Sequence, residues 1–74
     1  MLFSIRINTG DDNITTVFYF VHKDSHSLSQ EQQITEFDKA VKELDHIYKD
    51  YGRFATSTGV VRLFKHFGFE QTKP

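Results

Sequence analysis

The sequence contains no cysteine. Disulfides, thiolate metal sites and thiol catalysis are therefore excluded, and the fold has to be held by packing alone. Charge of one sign is also missing, because the formal net charge is −1. That balance points to neither nucleic acid nor a membrane surface as a partner. No apolar run approaches the roughly 20 residues that cross a bilayer. Arg6 interrupts the apolar start, Met1 to Ile7, and no signal-peptide pattern follows it. A cytoplasmic protein without a membrane partner is the expectation.

Aromatic residues are what the chain has in quantity: eight Phe and three Tyr in 74 residues. A chain of this size buries only about 60% of its unfolded surface, so each ring matters to its stability. The number also exceeds what one small core easily hides. Some rings are thus expected on the surface, where they often mark a binding face.

One stretch organises the rest. From Ser29 to Gly52, the residues Ile34, Phe37, Val41, Leu44, Tyr48 and Tyr51 recur at intervals of three and four. This is the apolar stripe of an α-helix, and Ala40 and Ile47 widen it. Ser27 and Ser29 each precede a Gln by three positions (Gln30, Gln32), which is the capping-box pattern. Asp38 with Lys42, and Asp45 with Lys49, form favourable acid-first pairs four apart. No Gly or Pro interrupts the run, and Gly52 is placed to end it.

Before this helix, Phe3, Ile5 and Ile7 alternate with Ser4, Arg6 and Asn8, the period of a strand with one buried face. Gly10-Asp11-Asp12-Asn13 supplies turn formers, and ITTVFYFVH (14–22) is dense in β-branched and aromatic residues. A β-hairpin follows. Its second strand is apolar on both faces: Ile14, Phe18 and Phe20 on one, Val17, Tyr19 and Val21 on the other. A strand wet on one side alternates more cleanly. This strand is therefore central in its sheet, or a partner covers its second face.

After Gly52, Thr56-Ser57-Thr58 offers three N-caps. Val60, Leu63, Phe64 and Phe67 follow at helical spacing, and Gly68 sits where a C′ glycine belongs, with Phe69 able to fold back on Phe64. This predicts a short helix from about Thr58 to Phe67. A third strand is the alternative, because Val61, Leu63, Phe67 and Phe69 share a parity and Val60 and Val61 are β-branched. Residues 1–70 then form one domain and 71–74 a flexible tail.

VRLFKHFGFE (61–70) resembles a stretch near the C-terminus of GNAT acetyltransferases, where a helix ends and an aromatic-Gly-Phe-Glu step enters a strand. The helix-end rule alone accounts for these ten residues. The acetyl-CoA loop of that family, Arg/Gln-x-x-Gly-x-Gly/Ala, has no match, and 74 residues are too few for that fold. The resemblance is local and assigns no family.

The residues capable of chemistry have simpler uses. His22 and His26 flank Asp24, but a zinc site wants three or four ligands and no third lies nearby in sequence. His46 falls opposite the apolar stripe, as a solvated residue does. Asp11 and Asp12 belong to a turn, whose residues tolerate positive φ and bond their own backbone. Ser57, Thr58 and Gly59 show no phosphate-loop pattern, and there is no serine-nucleophile motif. No catalytic residue, metal or cofactor is expected.

Residues 30–52 carry six acids and three lysines, while residues 53–74 carry Arg53, Arg62, Lys65 and Lys73 against Glu70. Arg53, Arg62, Lys65 and His66 are thus a candidate phosphate-contacting patch on the second helix.

The expected fold is α+β: a single small domain in which an N-terminal antiparallel hairpin packs on one long helix, followed by a short helix or third strand. The expected function is a non-enzymatic module that binds a larger protein and modulates or inhibits it. Val17, Tyr19, Val21, Tyr48 and Tyr51 are its candidate contact residues. Small regulators of phages and other mobile elements have this make-up, by analogy only. The helix seam could instead serve a homodimer. The alternative is a nucleic-acid-binding accessory protein that uses the basic face of its C-terminal helix.

Overall fold

The computed structural model describes residues 1–9, 14–50 and 56–73. Strands β1 (Phe3–Thr9) and β2 (Ile14–His22) form the hairpin, followed by helices α1 (Gln30–Asp50) and α2 (Ser57–His66) and a third strand, β3 (Phe69–Thr72). The sheet is antiparallel with order β1-β2-β3. The predicted α+β architecture is therefore the observed one, with β2 in the centre. The Gly10–Asn13 turn and the Gly52 helix stop lie outside the described residues, as do Tyr51 and Arg53.

The period-two pattern of β1 and β2 decides which face is buried. Phe3 lies opposite Phe20, and Ile5 opposite Phe18. Phe3, Phe18, Phe20 and His22 are buried, and Ile5 and Ile7 pack against the same core. Both helices cover this one face: Phe37 of α1 stacks on Phe3 at 4.6 Å, and Phe64 of α2 stacks on Phe20 at 4.5 Å. The Cα trace is only 15 Å thin in its shortest direction, as two layers require.

Helix α1 starts as its sequence directs. The Ser29 amide donates to Gln32 Oε1 at 3.0 Å, and the Gln32 amide donates to Ser29 Oγ at 3.1 Å, a reciprocal capping box. Asp38 pairs with Lys42 at 2.9 Å. Phe37, Ala40, Val41, Leu44 and Tyr48 of the expected stripe meet the core, and the departure is at its first residue. Ile34 is 49% exposed, whereas Ala40 is fully buried and Gln33 only 3% exposed. The ladder Gln33, Phe37, Ala40, Leu44 meets the core, because the small side chain of Ala40 lets the helix approach. Gln33 is stabilised there by donating from Nε2 to the carbonyls of Ser25 and Leu28, at 3.2 and 3.1 Å.

The helix expected from about Thr58 to Phe67 is observed, the strand alternative for those residues is not, and β3 follows only after Gly68. Thr56 caps α2, its side chain accepting from the Gly59 amide. Gly59 fits because a Cβ there would collide with Tyr48 Oη of α1. The helix ends at His66, and Gly68 takes φ +91°. Its amide donates to the Lys65 carbonyl at 3.0 Å, and Phe69 returns to Phe64 edge-on at 6.4 Å. This is the predicted C-cap, and it turns the chain directly into β3.

The tail expected at 71–74 is corrected at Gln71 and Thr72, which belong to β3. Thr72 lies opposite Tyr19 and Gln71 opposite Phe20. Without this pairing β2 would lack a partner on one side, and buried Phe69 anchors the segment in the core. The surface rings expected from the composition are few among the described residues, and Tyr19, half-buried on the side of the sheet away from the helices, is the main one. Among the described residues every Phe is buried or packed against the core.

Gly68 is the most exacting backbone position. An added Cβ would lie 2.7 Å from His22 Nε2, and the left-handed φ already disfavours a side chain. Left-handed backbone alone costs an L-residue about 1–2 kcal/mol. Gly68→Ala is expected to lower Tm by at least about 5 °C, given the usual slope for small domains. Circular dichroism melting checks this, and an unchanged Tm would show that the turn does not need glycine.

Candidate functional site

Both helices lie on one side of the sheet, and among the described residues no element covers its other side. The register fixes what that side presents. Tyr19 at the centre has Ser4 on β1 and Thr72 on β3 as its neighbours. Two residues away along β2, Val17 lies beside Arg6. Two residues in the opposite direction, Val21 lies beside Glu70. Val17 is 40% exposed, Tyr19 and Val21 are half-buried, and Arg6, Ser4 and Glu70 are exposed. At the hairpin end, Thr15 donates from Oγ1 to Asn8 Oδ1 at 3.1 Å. The face is an apolar stripe along the central strand with polar and charged residues on both flanks.

Three of the five candidate contact residues, Val17, Tyr19 and Val21, come together here. Tyr48 does not join them. It packs against the core from α1, with its hydroxyl beside Gly59 on the helix layer. Tyr51 lies outside the described residues.

The residues of the basic patch are partly assembled. Arg62 and Lys65, both exposed, line an open groove of about 390 Å³ together with Ser57, Thr58, Val61 and Gln71. His66 is exposed and meets Phe67 edge-on at 5.5 Å, and it does not line the groove.

The histidines flanking Asp24 are separated by burial. His26 is exposed, whereas His22 is buried. The Asp24 amide donates to His22 Nδ1 at 3.0 Å, and the ring meets Phe69 edge-on at 4.9 Å. His22 thus shapes the exit from β2. Among the described residues no group of three His, Asp or Glu side chains is placed to hold a metal ion. Among the same residues no helix is long and apolar enough to cross a membrane.

Sequence reasoning missed the buried amide of Gln33 and the flanking roles of Arg6 and Glu70. Gln33 stands four residues before Phe37, on the ladder that includes Ala40, and that spacing was the available signal. Arg6 and Glu70 gave none, because strand register is a three-dimensional fact.

The two sides of β2 should respond differently to substitution. Phe18→Ala is expected to cost about 3–5 kcal/mol in urea unfolding. Val17→Thr, on the open side, is expected to stay within about 1 kcal/mol of the parent. Equal losses would mean that both sides of β2 are core.

No known protein family, curated protein or solved structure matches this chain, so its function has to be read from this geometry.

Proposed function

We propose that this chain is a non-enzymatic protein-binding module that engages a partner through the open face of its sheet and thereby modulates or inhibits it. The observation that carries this reading is the apolar stripe of Val17, Tyr19 and Val21 along the central strand, which no described element covers. Burying such a stripe is favourable at about 25 cal/mol per Å² of apolar surface. A tyrosine at its centre supplies area together with a hydroxyl for orientation, the combination enriched at interfaces. Tyr48 supports the fold in this reading and makes no partner contact.

The test is capture by the tagged protein from a lysate of the source organism, with nuclease present, compared with Tyr19→Ala. A stoichiometric partner bound by the parent should be reduced at least about tenfold with the variant, as for a central aromatic contact. The melting curve should be nearly unchanged. Equal capture by both proteins would sink the reading.

The groove beside α2 favours a second reading, phosphate contact by Arg62 and Lys65. Two contacts predict single-strand binding that is weak, with a log–log salt slope of about −1.4. Fluorescence anisotropy with a labelled oligonucleotide measures it, and a flat salt dependence removes this reading.

A further inference from the structure

The two sides of the open face are matched in a way that names an occupant. Around Tyr19 the surface is nearly its own complement. Val17 and Val21 stand at equal distances along β2. The hydroxyls of Ser4 and Thr72 flank the ring from β1 and β3. The cation Arg6 and the anion Glu70 occupy diagonally opposite corners, Arg6 beside Val17 and Glu70 beside Val21.

A two-fold interface is built from one patch used twice, so residue i of one copy meets j of the other and j meets i. We infer that a second copy of this chain covers the open sheet face, packed about a two-fold axis that sets Arg6 of each copy against Glu70 of the other. The inference rests on the reading of this face as a binding surface, and it names the partner.

The geometry allows the pairing. Strands about 4.8 Å apart with a rise of about 3.3 Å per residue put the Arg6–Glu70 diagonal at roughly 36° to β2. An axis lying in the interface, through Tyr19 and perpendicular to that diagonal, superposes each charge on its opposite. The strands of the two sheets then cross at roughly 70°, near the orthogonal class of sheet packing. Tyr19 and the two valines fill the middle.

Charge argues for this occupant over others. One Arg and one Glu leave the face without net charge, so it offers no field to attract nucleic acid or a strongly charged protein. Among the described residues the intramolecular ion pairs, Lys39 with Glu36 and Lys42 with Asp38, both lie on α1. Arg6 and Glu70 make no ion pair there, and both are exposed.

Area sets the strength. Strands of seven, nine and four residues cover about 320 Å² in plan, well below the about 800 Å² per partner of a standard interface. The dimer is accordingly weak, with a dissociation constant in the tens of micromolar, on the order of 10⁻⁵ to 10⁻⁴ M.

Sedimentation velocity from about 10 μM to about 1 mM spans that range. The mass should rise from that of one 8.7 kDa chain toward twice that value. Arg6→Glu and Glu70→Arg should each weaken association at least about tenfold, because each creates two like-charge contacts. The double variant Arg6→Glu/Glu70→Arg should regain the parent affinity within about threefold, since it restores both pairs. Circular dichroism melting verifies that each variant is folded.

A parent that stays monomeric throughout overturns the inference, and that result needs no variant. Association that the single reversals leave intact, or that the double reversal fails to restore, overturns the face and the pairing. Capture of a different protein that is lost with Tyr19→Ala, from a monomeric parent, removes self-association and leaves the binding face standing. A monomeric parent whose captured partners ignore Tyr19→Ala removes both.

Discussion

Phe37 of α1 touches three rings at once: Phe3 of β1 at 4.6 Å, and Phe64 of α2 and Phe69 of β3, both at 5.3 Å. Phe20 of β2 joins through Phe64, and Phe18 through Phe20 at 6.2 Å. Every strand and helix therefore contributes a phenylalanine to one connected cluster. In a chain without cysteine, this cluster does the work that disulfides do in many domains of similar size. Stacked and edge-on ring pairs add about 0.5–1.5 kcal/mol each beyond simple burial. Because the rings interlock across all five elements, losing one loosens its neighbours, and the effects of two such losses are not additive.

The same cluster explains why the sheet has an open side. The phenylalanines occupy one parity of β1 and β2, and both helices are drawn to that side. The described residues then supply a sheet and two helices. Val17, Tyr19 and Val21 remain outside on the central strand, although their residue types suit a buried strand. A central strand would ordinarily be covered on both faces or polar on one. Here it is paired on both edges, and among the described residues it is covered on one face only, a combination that makes the outer face a candidate for recognition.

The hairpin, the long helix, its capping box and the glycine stop after α2 were all legible in the sequence, because each rests on local spacing or local hydrogen bonding. Two features were not. Strand β3 is four residues long, too short for a period to show. It exists because β2 has a free edge and Phe69 has a place in the core, both of which are non-local. At the start of α1 Gln33 is buried in place of Ile34, since both fit the same helical spacing. Apolarity favoured Ile34, and the carbonyls of Ser25 and Leu28, which accept from Gln33, decided otherwise. The surplus of rings was legible in part: the described Phe residues all fit inside, while Tyr19 lies on the open face. The candidate contact residues divided along the same line. Val17, Tyr19 and Val21 share a parity on one strand, so their convergence was readable. Tyr48 sits on the apolar stripe of a helix, where burial against α2 was the simpler outcome.

An apolar stripe on an open sheet is a hazard as well as a resource, since any exposed strand surface can template unwanted association. The flanks of this face limit that. Arg6 stands on β1 and Glu70 on β3, each directly beside a valine of the stripe. A partner that covers the valines has to bring an anion to one corner and a cation to the other, or leave two charges desolvated without compensation. Leaving a charge unpaired in this way costs far more than a surface ion pair contributes. The two charges therefore act mainly by rejecting mismatched partners. The apolar stripe supplies the attraction, and the diagonal of opposite charges supplies the direction in which a partner can lie.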